Sequence, residues 1–133
     1  MDKEQESAVI KAFCHKNRRK RIMFELSTKR REDFLWDLSD DRHFIKKYMI
    51  EIPKPNSDAD QILILLKSYG APRMCYAISL SPIDGQYLPL DIALETAVGH
   101  GMGSLISCIP GKLAYWEGEQ CYGPPPRYIL YRP

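Results

Sequence analysis

The sequence predicts an α+β domain in which a helical amino-terminal part, residues 1–70, packs on a mixed or antiparallel sheet of roughly four strands drawn from residues 71–133. Two observations predict it. Up to Tyr69, apolar residues recur at three- and four-residue spacing, as in helices with one buried face. From Arg73 onward, that spacing gives way to short continuous apolar runs punctuated by Gly and Pro, as in strands and turns. A chain of 133 residues can bury a real core, so one domain is expected.

The elements follow in order. Ala8, Val9, Ala12 and Phe13 line one face of a helix over residues 4–16. Asn17 stands where an N-cap would open a second helix, with Ile22, Met23 and Leu26 as its apolar stripe. Phe34, Leu35 and Leu38 mark a third helix over residues 29–38. Asp40 or Asp41 would cap a short helix turning Phe44, Ile45, Tyr48 and Met49 inward, although the same stretch also alternates as a strand. Pro53 and Pro55 break the pattern. Ser57 and Asp60 then resemble a capping box for a helix over residues 58–69, closed by Gly70 and Pro72.

RMCYAISL reads as the first strand, and Asp84-Gly85 as the turn in the loop after it. Pro89 opens a helix carrying Leu90, Ala93, Leu94 and Ala97 on one face, and Gly99 stops it. SLISCI and KLAYWEGE flank a Pro110-Gly111 turn, and RYILYR follows the prolines at 124–126 as a last strand. The order from residue 73 is β-α-β-β-β. The strand at 73–80, the helix at 89–98 and the strand at 104–109 are expected to form a right-handed crossover. The last three strands are expected to form an antiparallel meander, with helices covering one face of the sheet.

Charge is placed unevenly. Formal net charge is +2, but residues 1–50 hold 13 Lys/Arg against 9 Asp/Glu, and residues 51–133 hold 6 against 8. That bias points to a basic interaction face in the first third. No apolar run approaches the roughly 18 residues of a membrane helix, and MDKEQES does not read as a secretory signal, so a cytoplasmic protein without membrane association is expected. Cys14, Cys75, Cys108 and Cys121 form no CxxC, which argues against a zinc ribbon or a dithiol redox motif. Cys75 and Cys108 sit in apolar runs and read as buried thiols.

The stretch VGHGMGS, residues 98–104, invites a phosphate-cradle reading. Phosphate loops lead from a strand into a helix, so that the helix N-terminus meets the anion. Here the glycines follow a helix and precede a strand, which reads as a helix stop. His100 with Ser104 or Cys108 is the candidate for a general base with a nucleophile, and Ser107 lies close in sequence. No GxSxG elbow supports it. His15, His43 and His100 lie too far apart to suggest a metal site, and Asp40-Asp41 beside His43 read as helix caps. No cofactor and no metal are implied.

The most function-like signal is basic. Residues 16–31 contain Lys16, Arg18, Arg19, Lys20, Arg21, Lys29, Arg30 and Arg31 against a single carboxylate, Glu25. Helices here could bury the Ile22 stripe and present arginines to phosphates. A second signal is aromatic: Tyr115, Trp116, Tyr122, Tyr128 and Tyr131 cluster near the end, and Tyr115 and Trp116 should face opposite sides of a sheet. Three functions follow as expectations. The first is a non-catalytic interaction module, binding a protein partner or itself through the Trp116 and Tyr128 region. The second is nucleic-acid or anionic-partner binding through Arg18, Arg19, Arg30 and Arg31. The third is a small hydrolase or transferase built on His100.

Overall fold

The structure is a computed structural model that describes residues 1–53, 58–120 and 125–133. Among the described residues, five α-helices and six strands form an α+β fold. The helices are α1 (Lys3–Phe13), α2 (Lys16–Leu26), α3 (Arg31–Asp37), α4 (Ala59–Ser68) and α5 (Leu90–Ala97). The strands are β1 (Met49–Glu51), β2 (Met74–Ser79), β3 (Tyr87–Pro89), β4 (Ser104–Ile109), β5 (Leu113–Glu117) and β6 (Arg127–Tyr131). They make one sheet in the order β1-β6-β5-β4-β2-β3, antiparallel throughout.

The expected meander of the last three strands is present as β4-β5-β6. The expected crossover is not. β2 and β4 are antiparallel neighbours, so the handedness rule for parallel units has nothing to act on. The expected sheet is also too small. β1 pairs with β6 at one edge, which settles the ambiguous stretch before Pro53 as a strand for residues 49–51. β3 pairs with β2 at the other edge and runs straight into α5. Pro89 ends that edge strand, where a missing N–H costs the ladder little.

Helices cover both faces of the sheet rather than one. Alternate residues of each strand enter different cores, as the two-residue repeat of a strand requires. Tyr76, Ile78, Leu105, Ala114, Trp116 and Leu130 pack with α1, α2 and α3. Cys75, Ala77, Ile106, Cys108, Tyr115 and Ile129 pack with α4 and α5. The continuous apolar runs of β2, β4 and β5 are therefore buried on both sides.

Local chemistry explains the helix ends. Asp2 caps α1 by accepting the N–H groups of Glu4 and Gln5. α4 has a capping box, but one residue later than expected. Asp58 accepts the Gln61 N–H, and Gln61 reaches back to the Asp58 N–H. Ser57 and Pro55 lie outside the described residues, as do Cys121, Tyr122 and Pro124. Asn17 is not a cap. It sits in the first turn of α2, whose N-cap is His15 and which has no side-chain cap.

In place of a helix after Asp40 there are two 3-10 turns, Asp41–His43 and Lys46–Tyr48. The segment around His43 is tied to the end of α1. Cys14 and Phe44 form an antiparallel bridge, the His15 N–H donates to the His43 carbonyl at 2.9 Å, and the Ile45 N–H donates to the Phe13 carbonyl at 2.8 Å. This pairing sets His43 beside the amino end of α2.

Candidate functional site

α2 begins Lys16-Asn17-Arg18-Arg19-Lys20-Arg21, five cations in six residues. Cations at a helix N-terminus oppose the macrodipole, at a cost of about 0.3–1 kcal/mol each. α2 has no acidic residue in its first turn to offset them. The helix forms because Ile22 and Leu26 are buried in the core with α1 and α3. Arg19 donates to the Cys14 carbonyl at 3.0 Å, and Arg21 pairs with Glu25 one turn on at 3.0 Å. Among the described residues Lys16, Arg18, Lys20 and Lys29 have no carboxylate partner. Helical spacing puts Asn17, Lys20, Arg21 and Phe24 on one outward face, and Phe24 is 55% exposed. Trp36 on α3 is equally exposed.

A cleft of about 320 Å³ opens between α2, α3 and the Asp41–His43 turn. Asn17, Arg18, Arg21, Ile22 and Glu25 of α2 line it together with Phe34 and Asp37 of α3 and His43. The His43 side chain is 4% exposed, and its ring packs on Phe34 at a centroid distance of 5.5 Å. Its Nε2 lies 3.2 Å from Asp37 Oδ2, but without the alignment of a hydrogen bond. Neither ring nitrogen has a hydrogen-bond partner among the described residues. Burial pushes the His43 pKa below the usual histidine value against the pull of Asp37, and Arg42 and Arg18 push the same way as burial. Arg42 bonds to both Asp37 and Asp40, so the carboxylate beside His43 already has a cation.

Arg31, one of the binding candidates, lies in a different arrangement, bonded within the fold. Its guanidinium takes Glu6 at 2.6 and 2.9 Å, Asp84 at 2.8 and 3.0 Å, and the Leu26 carbonyl at 3.1 Å. Burial opposes its charge, but the hydrogen bonds it donates to Asp84 and Glu6 outweigh that and raise its pKa. Tyr76 adds a hydroxyl donated to Glu6 at 2.7 Å, and Asp84 also accepts the Ser79 N–H. Arg31 thus ties α3 to α1 and to the loop after β2. Arg30 is exposed and pairs with Asp33. Arg18 and Arg19 are half-buried.

The aromatic candidates fare differently from expectation. Trp116 and Tyr115 do face opposite sides of the sheet, but both are fully buried, because each side carries helices. The Trp116 indole N–H donates to the Leu38 carbonyl at 2.9 Å, and its ring packs on Phe44 and Tyr128. Trp116 is therefore a core residue and presents nothing to a partner. Tyr128 is half-buried near the β1 edge, with its hydroxyl toward Glu51.

VGHGMGS carries the chain out of α5, but Gly99 is not the cap. Val98 is the C-cap, in an extended conformation, and Gly99 turns the chain beyond it with φ +77°. A Cβ on Gly103 would lie 2.7 Å from backbone atoms of Leu38 and Ser39, so the loop passes where only glycine fits. His100 is exposed, with Nε2 3.3 Å from the Leu80 carbonyl. The Ser104 hydroxyl bonds instead to Ser79 at 2.8 Å. Cys108 is buried and its thiol contacts the Ile106 carbonyl, while burial pushes its pKa up. Ser107 is also buried, without a hydrogen-bond partner among the described residues. No base–nucleophile pair joins His100 to Ser104 or Cys108.

Sequence reasoning missed two arrangements. One is the His43 cleft, which depends on the bridge between Cys14 and Phe44 and has no local signature. The other is the buried carboxylate of Glu117, which accepts the Tyr115 hydroxyl at 2.7 Å, Arg127 Nε at 2.9 Å and the Gly99 N–H at 2.9 Å. Charged residues at the ends of β5 and β6 were the available signal for that pair. Among the described residues no group of three His, Cys, Asp or Glu side chains is placed to hold a metal ion, and no helix is long and apolar enough to cross a membrane. No protein-family model, curated protein or solved structure matches the chain.

Proposed function

We propose that this chain is a non-catalytic binding module that engages a polyanionic macromolecule, a nucleic acid, through the amino half of α2. The observation that carries the reading is the cationic start of α2, where Lys16, Arg18 and Lys20 have no carboxylate partner among the described residues. Natural helices favour carboxylates at that end, so a run of cations there is costly to folding and is relieved when phosphates approach. Phe24, exposed on the same outward face, adds a ring on which a base can stack. A protein partner bound through Trp116 loses its support, because that ring is inside the core.

The test is fluorescence anisotropy with single-stranded and duplex oligonucleotides at low salt. Binding by the native chain, weakened at least tenfold in a Lys16→Glu, Lys20→Glu double variant, is the expected result. Absence of binding at low salt, or binding unchanged in the variant, overturns the reading.

A further inference from the structure

We infer that the cleft between α2, α3 and the Asp41–His43 turn is a subsite for one phosphate group, held by Arg18, Asn17 and the ring of His43. The inference deepens, and rests on, the reading of α2 as an anion-binding face. Its independent support is His43 itself. The ring, with 4% of its side chain exposed, stands at the wall of the cleft, and both of its nitrogens are buried without a hydrogen bond among the described residues; Nε2 faces Asp37 Oδ2 at 3.2 Å out of hydrogen-bond alignment, and Nδ1 has no partner. The cleft, at about 320 Å³, falls in the size range of small-molecule sites and takes a phosphate with its attached sugar or ester group.

The charges around the cleft favour an anion. From α2, Glu25 is taken by Arg21 at 3.0 Å. From α3, Asp37 is taken by Arg42, which stands on the same turn as His43. Arg18 is left without a carboxylate, and the Asn17 amide is exposed beside it. Arginine matches phosphate oxygens in a planar, two-pronged geometry. An incoming oxyanion also favours the protonated form of His43, which burial disfavours. Binding therefore favours proton uptake at His43, and the site strengthens as pH falls through the range in which the ring titrates. Phosphate can come from the end of a nucleic-acid strand, from its diester backbone, or as the free ion.

The experiment follows the His43 ring resonances by NMR against pH, with His15 and His100, both exposed, as internal controls. The probes are inorganic phosphate, a 5′-phosphorylated oligonucleotide and its 5′-hydroxyl counterpart. At least one probe is expected to raise the His43 pKa selectively, and Arg18→Gln to weaken that probe about tenfold. A preference for the 5′-phosphorylated strand assigns a terminal phosphate. Equal response to both strands assigns a backbone diester, and response to inorganic phosphate alone assigns the free ion. If no probe moves His43 at millimolar concentration, or Arg18→Gln leaves the response unchanged, the inference is wrong. Oligonucleotide binding that depends on Lys16 and Lys20 but leaves His43 unmoved overturns the subsite and spares the proposed function. Inorganic phosphate on His43 with no oligonucleotide binding at low salt does the reverse.

Discussion

The carboxylate of Glu117 accepts the backbone N–H of Gly99 at 2.9 Å, across 18 positions of sequence. The loop after α5 is thus fastened to the end of β5 by a group that is itself fully buried and paired with Arg127. Breaking such a pair by removing one partner leaves an uncompensated buried charge. Glu117→Ala is expected to cost about 3–5 kcal/mol, read from urea unfolding. A loss under 1 kcal/mol would mean that the network does not hold the loop.

The same loop separates two kinds of glycine. Gly99→Ala meets no neighbour but forces φ +77° on a residue with a Cβ, at a cost of about 1–2 kcal/mol. Gly103→Ala drives a Cβ into the backbone of Leu38 and Ser39 and is expected to cost more. Thermal unfolding of the two variants ranks them. The opposite order would refute the close approach of the loop to Leu38.

Arg31 and Lys20 test which cations are structural. Arg31→Met leaves Glu6 and Asp84 without their cation in a largely buried site, and is expected to destabilise by about 3 kcal/mol or more. Lys20→Met removes an exposed charge and is expected to change stability by less than about 0.5 kcal/mol. Equal effects would overturn the division.

The thiols give a pH dependence. Burial pushes Cys14 and Cys75 up to about 12, from an ordinary value near 9. A native pKa raised above the unfolded one stabilises fully below the unfolded value and is lost as pH rises through the native value. Stability should therefore decline between pH 9 and 12. At pH 8 both thiols should resist alkylation in the native chain and react on unfolding, as peptide mass spectrometry reads. Rapid native labelling of Cys14 would contradict its burial.

Much of the fold was legible. Ile22 and Leu26, and Leu90, Ala93, Leu94 and Ala97, repeat at helical spacing, and the structure buries those positions. The meander was legible because turn residues punctuate its strands. The edge strands were not, since β1 and β3 span three residues each and their pairing is non-local. The covering of both sheet faces was written in LAYW and SLISCI, which are apolar at both alternating positions, and this signal places Trp116 in the core. The basic helix was read from charge alone, but charge could not say that Arg31 is spoken for and Arg18 is not. His43 was read as part of a cap because Asp40 and Asp41 precede it. Only the Cys14–Phe44 bridge brings it to Arg18 and Asn17.

The salt dependence of nucleic-acid binding tests the central claim most directly. Phosphate contacts release counterions, so log K falls linearly with log salt, with a slope near −0.7 per contact for a single strand. Lys16→Gln with Lys20→Gln should reduce the magnitude of that slope by about 1–2 and should not lower stability. A native slope near zero, or a slope the double variant does not change, would contradict the role assigned to α2.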